Sequence, residues 1–340
     1  MVKQNIFILN NLICLTMFDI DVKDRKILYQ LDVNSRQSLK TIGSHVRLTK
    51  NVVQYRIDRL IKTGIIKNFY TSIDFYKLGY INLGIYVNYQ YYTPEIEKDI
   101  IQYFINSEHA WFIANIQGKF DLIVLFSVSN MNQFFSFWKK TLTKYRFYFQ
   151  SALITFFTRT HYFPISYLLE EYDITQRLKH ELVDGGIKVD IDDTDKAILD
   201  RISLNSRKPI IEIAEELNTS STTITNRIKK LEIMKIINGY RINIDYLKLG
   251  LQLFNVQINL RNFDKIHNII SYVKTNPHLI SVSEVIDNCD LSLNYHIKNF
   301  NELHQIIKDI YIKFPNDIKN HMTFSYPEIY KQNYNPKFDL

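Results

Sequence analysis

Two cysteines, Cys14 and Cys289, are all that the 340 residues contain. They are too few for a metal knuckle or a disulfide framework, so a reducing cytosol is the expected setting. No run of 18 or more apolar residues occurs, which excludes a helix that spans a membrane. The apolar stretch from Ile6 to Phe18 is broken by Asn10 and Asn11. It reads as a short signal or anchor, or as an extra segment ahead of a true start at Met17. Also missing are G-x-G-x-x-G, a Walker loop, H-E-x-x-H and C-x-x-C, the spacings that cradle phosphate, hold catalytic zinc or run dithiol chemistry. The nine histidines are scattered. No catalytic constellation, no metal and no cofactor are expected.

A formal net charge of +7 permits a nucleic-acid partner without establishing one. The stretch Ile42 to Gly79 is more specific. It carries two short helical patterns around a tight turn, then a strand beyond Gly64. Within the second pattern Val53, Ile57 and Leu60 share one face, the spacing of a buried stripe. Lys50, Asn51, Gln54, Tyr55, Asp58 and Arg59 share the other, and such side chains hydrogen-bond to base edges and phosphates. Thr49 is placed as an N-cap and Gly64 as the left-handed residue after the helix. The pattern predicts a helix-turn-helix followed by a wing or hairpin.

That pattern occurs twice. Asp19-Ile20-Asp21-x-x-Asp24 returns as Asp190-Ile191-Asp192-x-x-Asp195, an offset of 171 positions. The offset holds without a gap through Asn34-Ser35-Arg36 and Asn205-Ser206-Arg207, Arg56-Ile57 and Arg227-Ile228, and Lys77-Leu78-Gly79 and Lys248-Leu249-Gly250. The chain is a duplication. The aspartates ahead of each first helix suit N-capping; a calcium loop would need a central Gly and a closing Glu that DIDDTD lacks.

After each head the elements read strand, helix, strand, strand, helix, strand. In the first copy these are Ile81–Tyr89, Pro94–Ser107, His109–Ile116, Leu122–Val128, Met131–Tyr145 and Ser151–Phe157. This order is the ferredoxin-like split βαβ, with helices on one sheet face and the other face left for a partner. The aromatic cluster Trp111, Phe112, Phe134, Phe135, Phe137 and Trp138 falls on apolar faces and is expected to pack there. The predicted fold class is α+β. Its boundaries are an extra segment 1–18, a helix-turn-helix domain 19–79, a ferredoxin-like domain 80–160, a linker 161–189, a second helix-turn-helix domain 190–250, a second ferredoxin-like domain 251–326 and a tail 327–340. Pro164 to Leu182 reads as a helix-like piece in a linker long enough to let the second copy reorient, and the tail as loosely ordered.

The D-x-x-D-x-x-I-L start, N-S-R, the Arg-Ile-x-x-Leu helix, the I-D-x-x-K-L-G exit and the module after them resemble the Lrp/AsnC family of prokaryotic transcription regulators. The resemblance covers nearly the whole chain, twice, where members usually carry one copy and dimerise. It implies a cytoplasmic, non-enzymatic regulator that binds double-stranded DNA and responds to a small effector such as an amino acid. It implies sheet-to-sheet pairing of the RAM effector domains, here as an intrachain pseudo-dimer or a homo-oligomer. It also places effector binding near Gly118 and Asp121 and, in the second copy, Asp290, where the turn has lost its Gly. Two alternatives are an enzyme resembling the siroheme decarboxylases, which share the architecture, and a sensor that no longer binds DNA.

The first head has a clear basic excess, whereas Glu212, Glu215, Glu216 and the Asp cluster bring the second close to neutral. The second recognition helix starts at Ser220, buries Ile224, Ile228 and Leu231, and offers Ser221, Thr222, Thr225, Asn226 and Lys229. Unlike heads in one chain favour an asymmetric site over a palindrome. Arg56 and Arg227 have two readings, phosphate contact or pairing with nearby carboxylates, and Tyr55 either reads DNA or packs under the wing. Lys235 stands where the first copy has Gly64, at a cost of about 1 kcal/mol if its φ is positive.

Overall fold

The computed structural model describes residues 20–172, 181–183 and 186–333. The segment 1–18 and the end of the tail, 334–340, lie outside the described residues.

The first head is built from α1 (Val22–Val33), α2 (Leu39–Val46) and α3 (Lys50–Lys62). Asp21 caps α1 in a reciprocal box: the Asp24 N–H donates to Asp21 Oδ1 at 2.8 Å, and the Asp21 N–H donates to Asp24 Oδ2 at 3.2 Å. Ser38 and Thr49 cap α2 and α3. The three helices close over Ile27, Leu31, Ile42, Val53, Ile57 and Leu60, all buried. The second head repeats this with α6 (Asp193–Ser203), α7 (Ile210–Glu216) and α8 (Ser221–Ile233), capped by Asp192 and Ser220 at the first and last.

The strand after each recognition helix does not form a hairpin inside its own head. β1 (Ile66–Ile73) pairs antiparallel with β7 (Ile237–Ile244) of the other copy, with Tyr70 opposite Arg241. The reason is chain direction. After β1 the chain enters a 3-10 turn at Tyr76–Leu78 and leaves through left-handed Gly79 (φ 86°) toward the sheet module, so no second strand returns within the head. The equivalent strand of the duplicate supplies the missing partner.

The first sheet module runs β2 (Ile81–Tyr89), α4 (Pro94–Ile105), β3 (Ala110–Asn115), β4 (Leu122–Val128), α5 (Met131–Tyr145) and β5 (Phe149–Tyr162). Its strand order, β5-β2-β4-β3, is that of the ferredoxin-like sandwich. The second runs β8 (Gln252–Leu260), α9 (Ile266–Val273), β9 (Leu279–Ile286), β10 (Leu291–Ile297), α10 (Phe300–Lys313) and β11 (Ile318–Ser325), in the order β11-β8-β10-β9. Helices cover the outer face of each sheet. The inner faces meet around buried Tyr86, Phe112, Phe120, Ile123 and Phe324.

Each copy also closes the other's open edge. β5, expected to end at Phe157, continues to Tyr162 and pairs there with β9. The tail, expected to be loose, forms β12 (Ile329–Gln332) against β3. Tyr330 accepts from Asn115 Nδ2 at 2.7 Å, and Lys331 Nζ donates to the carbonyls of Ile105 and Ser107 at the end of α4. Unpaired outer strands would otherwise expose a row of backbone donors and acceptors. The linker is likewise no passive spacer. Phe163 is buried in the second sheet module, Ile165 and Leu168 are buried in the first head, and β6 (Glu181–Val183) pairs with β5. Of the helix expected over Pro164–Leu182, the described residues show a single 3-10 turn, Ser166–Leu168, and residues 173–180 lie outside the description. Among the described residues no helix is long and apolar enough to cross a membrane.

Three contacts join equivalent residues of the two copies and so mark a pseudo-twofold axis. Ser35 Oγ lies 2.6 Å from Ser206 Oγ, Tyr70 faces Arg241, and Gln257 Nε2 donates to Tyr86 Oη at 3.0 Å. The axis runs from between the heads to between the sheets.

Candidate nucleic-acid interface

α3 and α8 are the two recognition helices. Lys50, Asn51, Gln54, Tyr55 and Arg59 are exposed on α3, and Ser221, Thr222, Asn226 and Lys229 on α8, with Thr225 half-buried. Tyr55 is 67% exposed, which rules out packing under the wing. Two of the side chains are engaged within their own helix: Gln54 Nε2 donates to Asp58 Oδ1 at 2.7 Å, and Thr225 Oγ1 donates to the Ser221 carbonyl at 2.8 Å.

The structure changes the reading of Arg56 and Arg227. Arg56 Nη1 lies 2.7 Å from Asp21 Oδ2 and 2.9 Å from Asp24 Oδ1; Arg227 Nη1 lies 2.7 Å from Asp192 Oδ2 and 2.8 Å from Asp195 Oδ1. Both arginines are half-buried bolts from the recognition helix to the N-terminus of the first helix, and Asp24 and Asp195 are fully buried. The hydrogen bond from Arg227 holds the Asp192 carboxyl below its ordinary range. At Asp21 burial works the other way, and the bonds from Arg56 and the cap outweigh it. Asp24 also binds Arg59, and Lys230 Nζ lies 3.8 Å from Asp195 Oδ2. These bonds set the tilt of each reading helix on its head.

The C-terminal ends are held from the other copy. Lys248 Nζ donates to the Thr63 carbonyl at 2.6 Å, and Lys77 Nζ to the Met234 carbonyl at 3.3 Å. A lysine there complements the negative end of the helix dipole. Gly64 (φ 70°) turns α3 out, and a Cβ on it would stand 2.7 Å from Lys248 Nζ. Lys235 takes the same left-handed turn with φ 56°, as its position predicted. The repeated N-S-R triplet holds the heads together: Arg36 Nη1 donates to the Ser206 carbonyl at 2.6 Å, and Arg207 donates to that of Ser35. Sequence reasoning missed both roles, although the exact repetition of Ser35-Arg36 and Lys77 at one offset was their signal.

The expected effector residues have other employment. Asp121 Oδ2 accepts the Tyr89 N–H at 2.7 Å and Asp290 Oδ2 the Leu260 N–H at 2.6 Å, each closing a turn onto a neighbouring strand. Gly118 allows close approach between copies, since a Cβ there would lie 2.8 Å from that of Phe324.

Two exposed recognition helices on a paired pair of heads, carried by a paired sheet module, define the class: winged helix-turn-helix DNA-binding regulators. Residues 20–67 match a winged helix-turn-helix DNA-binding domain and residues 191–232 an AsnC-type helix-turn-helix domain. An uncharacterised HTH-type transcriptional regulator of Pyrococcus furiosus is 31% identical over 122 residues, 36% of this chain and 82% of that protein. The regulator LrpA of Pyrococcus horikoshii is 35% identical over 26% of this chain and 72% of its own length. LysM of Sulfurisphaera tokodaii is 32% identical over 34% of this chain and 80% of its own. The chain belongs to the Lrp/AsnC family of helix-turn-helix transcription regulators and carries the family unit twice. The arrangement of both copies is shared with the solved structure of the siroheme decarboxylase NirDL (TM-score 0.64, 94% of each chain, 12% identity), a likeness of fold.

Proposed function

We propose that this chain reads a DNA sequence as its own dimer, without catalysis, in the cytoplasm. The observation that carries the reading is the pair of exposed polar recognition helices on heads locked about one axis. Lys50, Asn51, Gln54 and Tyr55 enter one major groove, with Arg59 beside them still bonded to Asp24; Ser221, Thr222, Thr225, Asn226 and Lys229 enter the next. Gln54 exchanges its bond to Asp58 for a base edge. Arg56 and Arg227 act mainly by fixing helix tilt. The basic first head supplies most of the phosphate attraction, and the neutral second head supplies selectivity. A small effector shifts the pairing of the copies and with it the spacing of the heads.

Lys50→Ala/Gln54→Ala tests the reading. It is expected to weaken binding to the preferred site by more than binding to scrambled duplex. Equal losses on both would mean that these side chains do not read sequence. An absorbance scan with an iron uroporphyrin tests the enzymatic alternative: an unshifted Soret band supports the regulator, and a saturable shift transfers the reading to a tetrapyrrole enzyme.

A further inference from the structure

The heads meet on the pseudo-twofold axis through Ser35 and Ser206, and an arginine follows each serine. Arg36 crosses to the Ser206 carbonyl at 2.6 Å, and Arg207 crosses to the Ser35 carbonyl, so the two guanidiniums flank the axis. The β1–β7 ribbon beneath them fixes which way they face. Side chains alternate along a strand. Tyr70 and Arg241 line a cavity between the ribbon and the sheets. Phe69, Thr71 and Tyr240 turn the other way, and Thr71 Oγ1 donates to the Ile202 carbonyl of the second head at 2.6 Å. The Arg36 guanidinium carbon lies 5.3 Å from the centre of the Tyr240 ring, and that of Arg207 5.5 Å from the Phe69 ring. Both arginines are therefore on the head side of the ribbon, away from the sheets.

What this pair lacks is a counter-charge. Every other buried or half-buried arginine of the two heads is bonded to a carboxylate. Arg56 and Arg227 hold the capping aspartates, and Arg201 lies against Asp200 and Glu216. Arg241 of β7 donates to Asp32 of α1 through Nε at 3.1 Å and Nη2 at 2.7 Å, and to the Phe163 carbonyl at 2.7 Å. Asp32 also accepts the Ile165 N–H at 2.9 Å. Arg36 and Arg207 form no ion pair among the described residues. Their bonds to backbone carbonyls use Nη1 alone, and Nε and Nη2 find no acceptor there. Those free N–H groups are not enclosed, since neither arginine has a buried nitrogen without a partner. Burial, with the charge of Arg36 adding to it, holds the Arg207 guanidinium below its ordinary value. Two like charges side by side without compensation form a site that favours an anion.

We propose that Arg36 and Arg207 contact the DNA themselves, at the phosphates that border the minor groove midway between the two half-sites. The inference rests on the DNA-binding reading above and adds a third point of contact to the two recognition helices. When heads related by an axis read successive major grooves on one side of a duplex, the axis meets the duplex halfway, where the minor groove faces the protein. The sugar-phosphate strands of both chains run along that groove, one on each side of the axis. Nη1 of each arginine stays on its carbonyl and fixes the guanidinium, while Nε and Nη2 donate to phosphate oxygens. One pair of side chains thus clamps the heads together and holds the centre of the operator, which makes DNA binding sensitive to the closed arrangement of the heads.

The test uses the full chain on the duplex it selects from a randomised pool, with hydroxyl-radical footprinting and with anisotropy across a salt series. The unaltered chain is expected to protect both half-sites and, between them, the sugars of the central minor groove on both strands. Arg36→Gln/Arg207→Gln is expected to lose the central protection and to bind several-fold more weakly. Its slope of log affinity against log salt should be shallower by about 2, because each phosphate contact contributes about 0.9. Arg36→Lys/Arg207→Lys keeps the charge and should restore the slope. A double Gln variant that binds more weakly with an unchanged slope would show a clamp without DNA contact and overturn the proposal. So would two protected half-sites with an open centre, and that footprint of the unaltered chain decides even if a variant does not fold. A chain that selects no duplex overturns the regulator reading itself, which separates the two failures.

Discussion

Breaking the Asp32–Arg241 pair should cost more than deleting it. Arg241→Leu leaves the Asp32 carboxylate, 3% exposed, with the Ile165 N–H as a donor and no guanidinium beside it, and also removes the Arg241 donor from the Phe163 carbonyl. Removing one member of a buried pair costs about 3–5 kcal/mol, because an uncompensated charge is left inside. Asp32→Leu does the same to the guanidinium. The double variant removes both charges together. What remains is the loss at two backbone groups, Ile165 N–H and Phe163 C=O, at about 1–3 kcal/mol each, partly offset by apolar packing. The singles should therefore sum to about 6–10 kcal/mol against about 2–4 kcal/mol for the double, a coupling of roughly 2 kcal/mol or more. Urea unfolding of the four proteins, followed by far-ultraviolet circular dichroism and by tryptophan fluorescence, measures it. Single losses below about 1 kcal/mol that simply add would refute the claim that this pair is a desolvated strut between the heads. The pseudo-symmetric positions hold Ser203 and Tyr70, so the strut exists on one side of the axis only.

Three further outcomes follow from the same geometry. Lys235→Gly should stabilise the second head by about 1 kcal/mol, since φ 56° is strained for a side chain; a shift of the urea midpoint to lower concentration would contradict this. Acid should destabilise the chain through His296. Its folded pKa lies near 3, so as pH falls through about 6.5 the unfolded chain takes the proton first. The contribution is complete above that range and is lost by up to about 1.4 kcal/mol per pH unit down toward pH 3. His296→Gln should flatten stability against pH in that window, and an unchanged slope would count against the buried neutral imidazole. Lys248→Met should weaken DNA binding through the first head, by freeing the end of α3, more than Lys77→Met does through the second, where the bond is longer. Equal effects in anisotropy would argue against a capping role.

Much of the fold was legible because the duplication repeats at one offset, and each unit carries its own period. The stripe Val53-Ile57-Leu60 and its copy Ile224-Ile228-Leu231 identify helices with one buried side, and the structure buries all six. What a periodic pattern does not carry is a partner. The run Ile66–Ile73 beyond Gly64 reads as a strand and is silent on whether Ile237–Ile244, far along the chain, lies beside it. The same holds for β5 and β12, whose ends cross to the other copy. Arg56 illustrates the limit for side chains. An exposed-face arginine on a reading helix suits a phosphate, and only its distance to Asp21 and Asp24 shows that it is spent inside the head.

The most direct test is fluorescence anisotropy of the full chain on the DNA upstream of its own gene, against scrambled competitor and across a salt series. The account predicts binding by one chain with both heads, resistant to competitor, and an affinity falling steeply with salt as several phosphate contacts are lost. Binding that ignores sequence, or requires two chains per site with only one head engaged in each, would contradict it.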